Sequence, residues 1–298
     1  MRRDVVVVCA SRVLKLVTMC RLFGFKSAVL SRAHRSLIAA ENALSVQARA
    51  HRDGWGIGWF HGPEAYLLKS EAGADACDSF RRAADRLASQ TLVVHVRKAT
   101  VGSVNPLNVH PFRHGRWVFA HNGTLLGFDA LAPVLLADTP PALREQILGQ
   151  TDSEHLFAWL LGKLERAGID PLGARPVDAD HVGDVLHAAL GELFGLSQGL
   201  GLDRPLVNFI LTNGGTFVAN RAGRELHLAS QKRTCKDAAT CPAEKICLAP
   251  VRADDRVNHL LVASERIGDE DLWEEVPENT LVTLSADFRL RLRPGAPT

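Results

Sequence analysis

The order of helix-like and strand-like segments is the feature that most constrains the fold of this 298-residue chain. Before residue 200 both types occur, with helix patterns at 31–49, 75–89, 155–166 and 181–194 and strand patterns at 22–25, 51–60, 65–69, 91–100 and 117–121. After it the patterns are strands, at 207–211, 216–220, 225–230, 246–249, 260–264 and 281–290. Because no regular β-α-β alternation runs through the chain, we expect an α+β fold with sheet packed on sheet and helices outside.

One strand pattern carries almost no side chains on one of its faces. Gly54, Gly56 and Gly58 occupy every second position of the run at 51–60, and alternate residues of a strand share a face. Another backbone or a substrate can therefore lie against that face. The run has neither the following helix nor the spacing of a dinucleotide-binding loop, and we expect no cofactor.

Composition limits the class of protein and its compartment. Hydrophobic residues make up 46% and charged residues 23% of the chain, as in ordinary globular proteins. A net charge of +2 with scattered basic residues argues against a nucleic-acid partner, and the absence of an eighteen-residue apolar run argues against a membrane span. The six cysteines are too few and too dispersed for a disulfide scaffold, which favours a reducing, cytoplasmic location. Cys235, Cys241 and Cys247 lack the close pairing of zinc ligands, so we expect no metal site.

Cys20, directly after Met19, is the candidate nucleophile. If the mature chain begins at Cys20, its thiol (pKa about 8.5) lies beside a free α-amine (pKa about 7.7–8.0). The amine can then take the thiol proton, directly or through one water, and return it to a leaving ammonia. The structural alternative is a small, buried cysteine on a first strand.

Residues 1–19 are expected to be a leader or a misassigned start that lies outside the fold. Their apolar run is interrupted by Ser11, Arg12 and Lys15 before it reaches the length of a signal peptide. Met19 is not the small residue that a lipoprotein signal places before its cysteine. A start codon assigned too far upstream is therefore favoured over a cleaved pro-segment or an export signal.

Four further residues, at three places in the sequence, each have a structural and a functional interpretation. Arg97, at the end of a buried strand, is either a solvated surface residue or a clamp for a carboxylate. Asn122 and Gly123 form either a tight turn or a pair of donors aimed at a developing oxyanion. Asp152 is either part of a helix cap with Thr151 or a ligand for an amino group.

Taken together, six motifs resemble in order and spacing those of the class II glutamine amidotransferases, especially the stand-alone bacterial members. They lie at 19–24, 53–57, 95–100, 110–112, 121–123 and 151–154. The resemblance extends from Cys20 to about Thr298, so we expect a single glutaminase domain over 20–298. It departs from the family at Lys98, where many members have an aromatic residue.

The resemblance implies an N-terminal-nucleophile hydrolase, with two stacked antiparallel sheets between helical layers in an αββα sandwich. It implies that Cys20 attacks the side-chain amide carbon of glutamine and that Asn122 and Gly123 form the oxyanion hole. The substrate head group would be held by Arg97 and Thr100 at the α-carboxylate and by Asp152 at the α-ammonium.

The expected function is hydrolysis of L-glutamine to glutamate and ammonia, the ammonia passing to a separate synthase or to solvent. An alternative is hydrolysis of another γ-glutamyl amide or peptide, because the same head-group contacts serve both substrates. A third hypothesis is a non-catalytic protein that binds an amino acid or a partner through the same cleft.

Overall fold

The computed structural model describes residues 20–51, 53–98, 105–236, 244–249 and 254–295. The predictions for residues 1–19, Thr100 and Cys241 concern positions outside these ranges. The described strands are β1 (Arg21–Arg32), β2 (Trp55–His61), β3 (Glu64–Ser70), β4 (Ala88–Val96), β5 (Phe112–His114), β6 (Trp117–Thr124), β7 (Leu206–Thr212), β8 (Phe217–Arg221), β9 (His227–Ala229), β10 (His259–Ala263), β11 (Glu274–Glu275), β12 (Thr280–Leu284) and β13 (Leu290–Pro294). The helices are α1 (Leu44–Gln47), α2 (Asp78–Arg86), α3 (Phe128–Asp138), α4 (Pro141–Arg144), α5 (Asp152–Arg166), α6 (Ala179–Gly199) and α7 (Glu244–Cys247).

The strands form two sheets in which the paired neighbours run antiparallel. The first sheet has the order β11-β9-β10-β1-β4-β2-β3, and the second has the order β13-β12-β8-β7-β6-β5. β1 therefore lies in the middle of the first sheet, between β10 and β4, and β6 lies beside β7 in the second. The register pairs Arg21 with Val96 and Asn122 with Asn208.

The alternation of side chains along the central strands creates three apolar layers. Val93 on β4 and Val118 on β6 belong to the cluster between the two sheets. Val94, next to Val93, points to the opposite face and packs in the cluster that includes Phe80 of α2. Phe119, next to Val118, packs in the cluster formed with α3, α5 and α6. This arrangement of helices, sheet, sheet and helices confirms the predicted αββα sandwich.

The helix α5 holds the outer layer of the second sheet in place. Its apolar side chains, among them Phe157 and the fully buried Trp159, pack against that sheet, and the ring of Phe157 stacks on Phe119 at 5.1 Å. The Trp159 indole donates a 2.7 Å hydrogen bond to Asp138, so its polar atom is satisfied although the ring is buried. The N-terminus of α5 is fixed beside the end of β6 by the Leu125 amide, which donates to Asp152.

Three predicted elements were wrong. The helix predicted at 31–49 is replaced by the end of β1, a π-helical turn at Arg35–Ala39, the short α1 and a 3₁₀ turn at Ala48–Ala50; β1 takes the first two residues because it continues its pairing with β4 as far as Arg32. The strand predicted at 246–249 is occupied in part by α7. The strand predicted at 281–290 is a hairpin of β12 and β13, whose connection includes Phe288 at φ 67°. Pairing between distant strands overrides local periodicity in the first case.

The glycine-rich face of β2 is covered by backbone. A Cβ atom at position 56 would overlap the carbonyl oxygen of His110, so only glycine allows this close approach. Of the two occupants anticipated for this face, a second backbone is therefore the one found at Gly56. The contact joins the loop that carries His110 to the first sheet.

Candidate active site

Cys20 lies immediately before β1 and contacts the chain that follows β4. Because Arg21 pairs with Val96, the preceding Cys20 comes next to the residues after Val96. Its Sγ donates to the Lys98 carbonyl and accepts from the Lys98 amide, both at 3.2 Å. The cysteine is partly exposed. The backbone of Lys98 makes both contacts, so they do not depend on the side chain at the position that departs from the family.

The environment of the thiol keeps it protonated. Burial raises the pKa of Cys20 above its ordinary value, and the Lys98 amide and the Arg97 charge oppose this only in part. A thiol with a raised pKa is a weak nucleophile at neutral pH until a base removes its proton. A nucleophilic role for this cysteine therefore requires a base within reach of Sγ.

Arg97 places a buried positive charge beside Cys20. The residue is only 3% exposed, so it is not part of the solvated surface. Its backbone continues the pairing of β4 with the start of β2, since its amide donates to the Gly54 carbonyl at 2.8 Å. Burial lowers the pKa of Arg97, while Cys20 and Asp53 raise it. The arginine pKa normally lies above 12, so this fixed cation can attract a carboxylate.

Asn122 and Gly123 lie within β6 and not in a tight turn. They pair with Asn208 and Val207 of β7. Asn122 shares the face of Val118 and Ala120, which points between the sheets. The residue is 3% exposed, and its Oδ1 has no hydrogen-bond partner in the described part of the chain. This oxygen can only accept a hydrogen bond, so the group of Asn122 that could donate to an oxyanion is its Nδ2.

Gly123 cannot be replaced by a residue with a side chain without local movement. A Cβ atom at this position would overlap the Leu206 carbonyl oxygen of the neighbouring strand. The close approach of two backbones brings the end of β6 and the start of β7 together beside Asn122.

Asp152 is the first residue of α5 and is 4% exposed. The helix cap is Thr151, whose hydroxyl accepts from the Glu154 amide at 3.3 Å, so Asp152 is not needed for that purpose. Oδ2 of Asp152 accepts from the Leu125 amide at 2.8 Å, just beyond the end of β6. The carboxylate thus lies at the same end of β6 as Asn122 and Gly123.

These residues form two groups, whose strands meet across the two sheets. Cys20 and Arg97 lie at the end of β4, and the other group, at the end of β6, consists of Asn122, Gly123 and Asp152. β4 and β6 contact each other across the sandwich. His95 on β4 is close enough to His121 on β6 for the charge of His121 to affect the pKa of His95. Arg97 and Asn122 therefore lie within two residues of one crossing point.

In the sequence, His95 and His110 were noticed only as parts of the motifs at 95–100 and 110–112. In the structure they form a buried pair beside the candidate site. Their ring centroids are 4.3 Å apart, and neither ring nitrogen of His110 has a hydrogen-bond partner among the described residues, while the His121 backbone acts on the His95 ring. Burial is the main cause that lowers the pKa of His95 to about 3 and that of His110 well below its ordinary value. Both rings are therefore neutral at physiological pH.

Lys69 on β3 also lies beside the candidate site, and it was not selected from the sequence. Its Nζ lies 5.1 Å from the centre of the Phe112 ring, in the motif at 110–112. Burial lowers the pKa of Lys69 to about 8, although Glu154 acts to raise it. A single lysine on an amphipathic strand gives no sequence signal for this environment.

Two negative observations apply to the described residues alone. No helix in those ranges is both long and apolar enough to cross a membrane. In the same ranges, no three or more His, Cys, Asp or Glu side chains are grouped so that they could hold a metal ion.

Residues 19–290 match the family model described as glutamine amidotransferases class-II. The chain therefore belongs to this family, and it is an enzyme of this class. The resemblance noted in the sequence is confirmed.

Curated relatives support the assignment. The chain is 27% identical over 302 residues to "Probable glutamine amidotransferase DUG3" of Saccharomyces cerevisiae, in a match that spans 89% of this chain and 82% of that protein. It is 34% identical over 119 residues to "Gamma-glutamyl-hercynylcysteine sulfoxide hydrolase" of Mycobacterium tuberculosis. The second match spans 36% of this chain and 50% of the mycobacterial protein.

Solved structures share the fold. A glutamine aminotransferase class-II domain protein from Silicibacter pomeroyi aligns with a TM-score of 0.59 at 20% identity, over 93% of this chain and 100% of that one. Glutamine phosphoribosylpyrophosphate amidotransferase from B. subtilis aligns with a TM-score of 0.54 at 18% identity, over 92% of this chain and 49% of that one.

Proposed function

We propose that the enzyme hydrolyses the side-chain amide of L-glutamine to glutamate and ammonia through a thioester on Cys20. The observation that carries this proposal is the position of the Cys20 thiol, hydrogen-bonded to Lys98 and next to the buried Arg97. A γ-glutamyl substrate has a carboxylate and an ammonium at one end and an amide at the other, and the candidate residues complement each of these groups.

In the proposed reaction, Sγ of Cys20 attacks the amide carbon and its proton passes to the free α-amine of Cys20. Asn122 and the Gly123 amide stabilise the oxyanion, a contribution of about 3–4 kcal/mol per donor. The C–N bond then breaks, ammonia leaves with the transferred proton, and water hydrolyses the thioester. Arg97 and Thr100 hold the α-carboxylate of the substrate, and Asp152 holds its α-ammonium.

The mechanism requires Cys20 to be the first residue of the active enzyme. Because the raised pKa of the thiol leaves it protonated at neutral pH, the α-amine is needed as its base. Removal of residues 1–19, by initiation at Met19 or by processing, is therefore part of the proposal. Ammonia released at the site would pass to a separate synthase or to solvent.

We propose a cytoplasmic location because the cysteines whose side chains are described are free thiols. Cys20, Cys77 and Cys235 are free thiols, as is usual in a reducing compartment.

The test compares Cys20→Ala with Cys77→Ser in protein that begins at Cys20. Cys77 is also a free cysteine, and it lies at the N-cap of α2, where serine is a favourable replacement. We expect Cys20→Ala to lose glutamate release from glutamine and Cys77→Ser to retain it. Turnover that persists in the Cys20→Ala enzyme would refute the nucleophile. Mass spectrometry of active enzyme from its native host should give a chain that begins at Cys20.

Hydrolysis of another γ-glutamyl compound is the second candidate, because one relative is named a γ-glutamyl hydrolase. The two substrates share the γ-glutamyl head and differ only in the leaving group. Parallel assays with glutamine and γ-glutamyl dipeptides distinguish them, since glutamate release from the dipeptides alone would favour the second candidate.

A further inference from the structure

His121 and Asp152 are joined by a chain of short contacts through Ser153. Nε2 of His121 lies 3.0 Å from the Leu206 carbonyl oxygen, and Nδ1 lies 2.9 Å from Oγ of Ser153. Oγ of Ser153 lies in turn 3.2 Å from Oδ1 of Asp152. The other carboxylate oxygen, Oδ2, is already held by the Leu125 amide. Each of these side chains is buried.

The number of protons available in this series of contacts decides which neighbour receives the Ser153 hydroxyl proton. A carbonyl oxygen only accepts, so Nε2 of His121 must carry a proton to bond Leu206. In a neutral imidazole Nδ1 is then an acceptor, and the Ser153 hydroxyl must donate to it. A hydroxyl has a single proton, so Ser153 cannot also donate to Asp152. Oδ1 of Asp152 consequently receives no proton from its neighbour.

We propose that neutral His121, acting through Ser153, is a positioning residue that keeps Oδ1 of Asp152 available for the α-ammonium group of a γ-glutamyl substrate. This inference rests on the proposed role of Asp152 in substrate binding. It divides the carboxylate into two parts: Oδ2 anchors the side chain to Leu125, and Oδ1 accepts from the ligand.

Protonation of His121 reverses the donor and acceptor roles in the hydrogen bonds from His121 to Ser153 and on to Asp152. Nδ1 becomes a donor to Ser153, and the Ser153 hydroxyl turns to donate to Oδ1 of Asp152. The imidazolium charge also lies close to the same carboxylate. Both changes compete with a substrate ammonium, so substrate binding and proton binding at His121 oppose each other.

Burial keeps His121 neutral at physiological pH, against the groups that face it. Burial lowers the pKa of His121, and Asp152 from α5 and the Leu206 carbonyl from the start of β7 only partly offset this. His95 from β4 and His110 from the loop before β5 lie close enough for His121 to act on their pKa values, and both are themselves neutral. Substrate affinity is therefore highest above the pKa of His121 and falls as the pH drops through it.

The test measures the dissociation constant of L-glutamine for the Cys20→Ala enzyme by calorimetry between pH 8 and pH 5, where the ligand keeps its zwitterionic head. In this background the constant should rise by up to tenfold per pH unit below the pKa of His121, as expected for one linked proton. Adding His121→Asn should remove the rise, because the Asn oxygen can accept from Ser153 but cannot be protonated. Adding Ser153→Ala should reduce it. A dissociation constant that does not rise down to pH 5, or a rise that is unchanged in the His121→Asn protein, overturns the inference.

Two controls separate this inference from the proposed function. His155→Asn, a partly buried histidine on the same helix, should retain the full acid-induced rise. Asp152→Asn should weaken binding at least tenfold at pH 8. If Asp152→Asn does not weaken binding, the proposed role of Asp152 in substrate binding is wrong. If Asp152→Asn weakens binding but His121→Asn retains the acid-induced rise, only the positioning role of His121 is wrong.

The tautomer of His121 gives a readout that needs neither folding of a variant nor activity. Nitrogen NMR of the histidine-labelled wild-type enzyme at pH 7.5 should show Nε2 protonated and Nδ1 unprotonated. A proton on Nδ1 at this pH would overturn the inference.

Discussion

Replacement of His259 by leucine should make the protein less sensitive to acid. His259 lies on β10, is 4% exposed, and neither of its ring nitrogens has a hydrogen-bond partner among the described residues. Burial, followed by the charge of Lys232, lowers the pKa of His259 to about 4. The histidine pKa in an unfolded chain is about 6.5. Below pH 6.5 the unfolded chain therefore binds a proton that the folded chain does not.

The sign and size of the effect follow from this difference. Stability from a neutral buried histidine is fully present above pH 6.5 and is lost as the pH falls towards 4. The loss is about 1.4 kcal/mol per pH unit in this window, so His259 alone costs the wild type about 2 kcal/mol between pH 7.5 and pH 5. A total stability of about 5–15 kcal/mol makes such a change measurable. The leucine variant should be at least as stable at pH 7.5, because it buries no unpaired nitrogen.

Urea denaturation followed by tryptophan fluorescence at both pH values measures the loss. We expect the free energy of unfolding to fall by about 2 kcal/mol less in His259→Leu than in the wild type. His61→Leu is the matched control, because His61 is exposed at the end of β2 and should show the wild-type loss. Equal losses in His259→Leu and wild type, to within about 0.5 kcal/mol, would refute the reasoning.

Two glycine substitutions should have opposite effects on the free energy of unfolding, measured in the same way. Gly56→Ala should lower the free energy of unfolding by about 3 kcal/mol, because the new methyl group meets the His110 carbonyl. A loss under about 1 kcal/mol would contradict the close approach of the two backbones. Gly191 lies on an exposed face of α6, where a Cβ atom would have nothing within 4 Å. Gly191→Ala should therefore raise the free energy of unfolding by about 1 kcal/mol. Any loss of stability would contradict that placement.

Local patterns predicted the parts of the chain whose periodicity agrees with the final packing. β4 and β6 alternate between a face towards the other sheet and a face towards the helices, and both were visible as strands. α5 was visible because its apolar residues recur at helical spacing after a capping threonine. The segment at 31–49 failed: β1 extends its pairing with β4 over the first two residues, which has no local signal, and the rest forms short, separate helical turns.

The candidate site divides in the same way. Sequence alone selected Cys20, Arg97, Asn122, Gly123 and Asp152, since each is a residue type with distinctive chemistry inside a recognisable motif. It left Arg97 between surface and clamp, and Asn122 between turn and donor.

Tertiary structure excluded the solvated-surface interpretation of Arg97 and the tight-turn interpretation of Asn122, because burial and strand pairing come from elements far apart in the chain. Arg97 is buried where β1, β2 and β4 meet. Asn122 stays within a strand because β7 pairs with it. The link from His121 through Ser153 to Asp152 joins residues of a strand and a helix that are 32 positions apart at His121 and Ser153. The sequence determined which chemical groups are present, and only the fold determined which of them lose water and face one another.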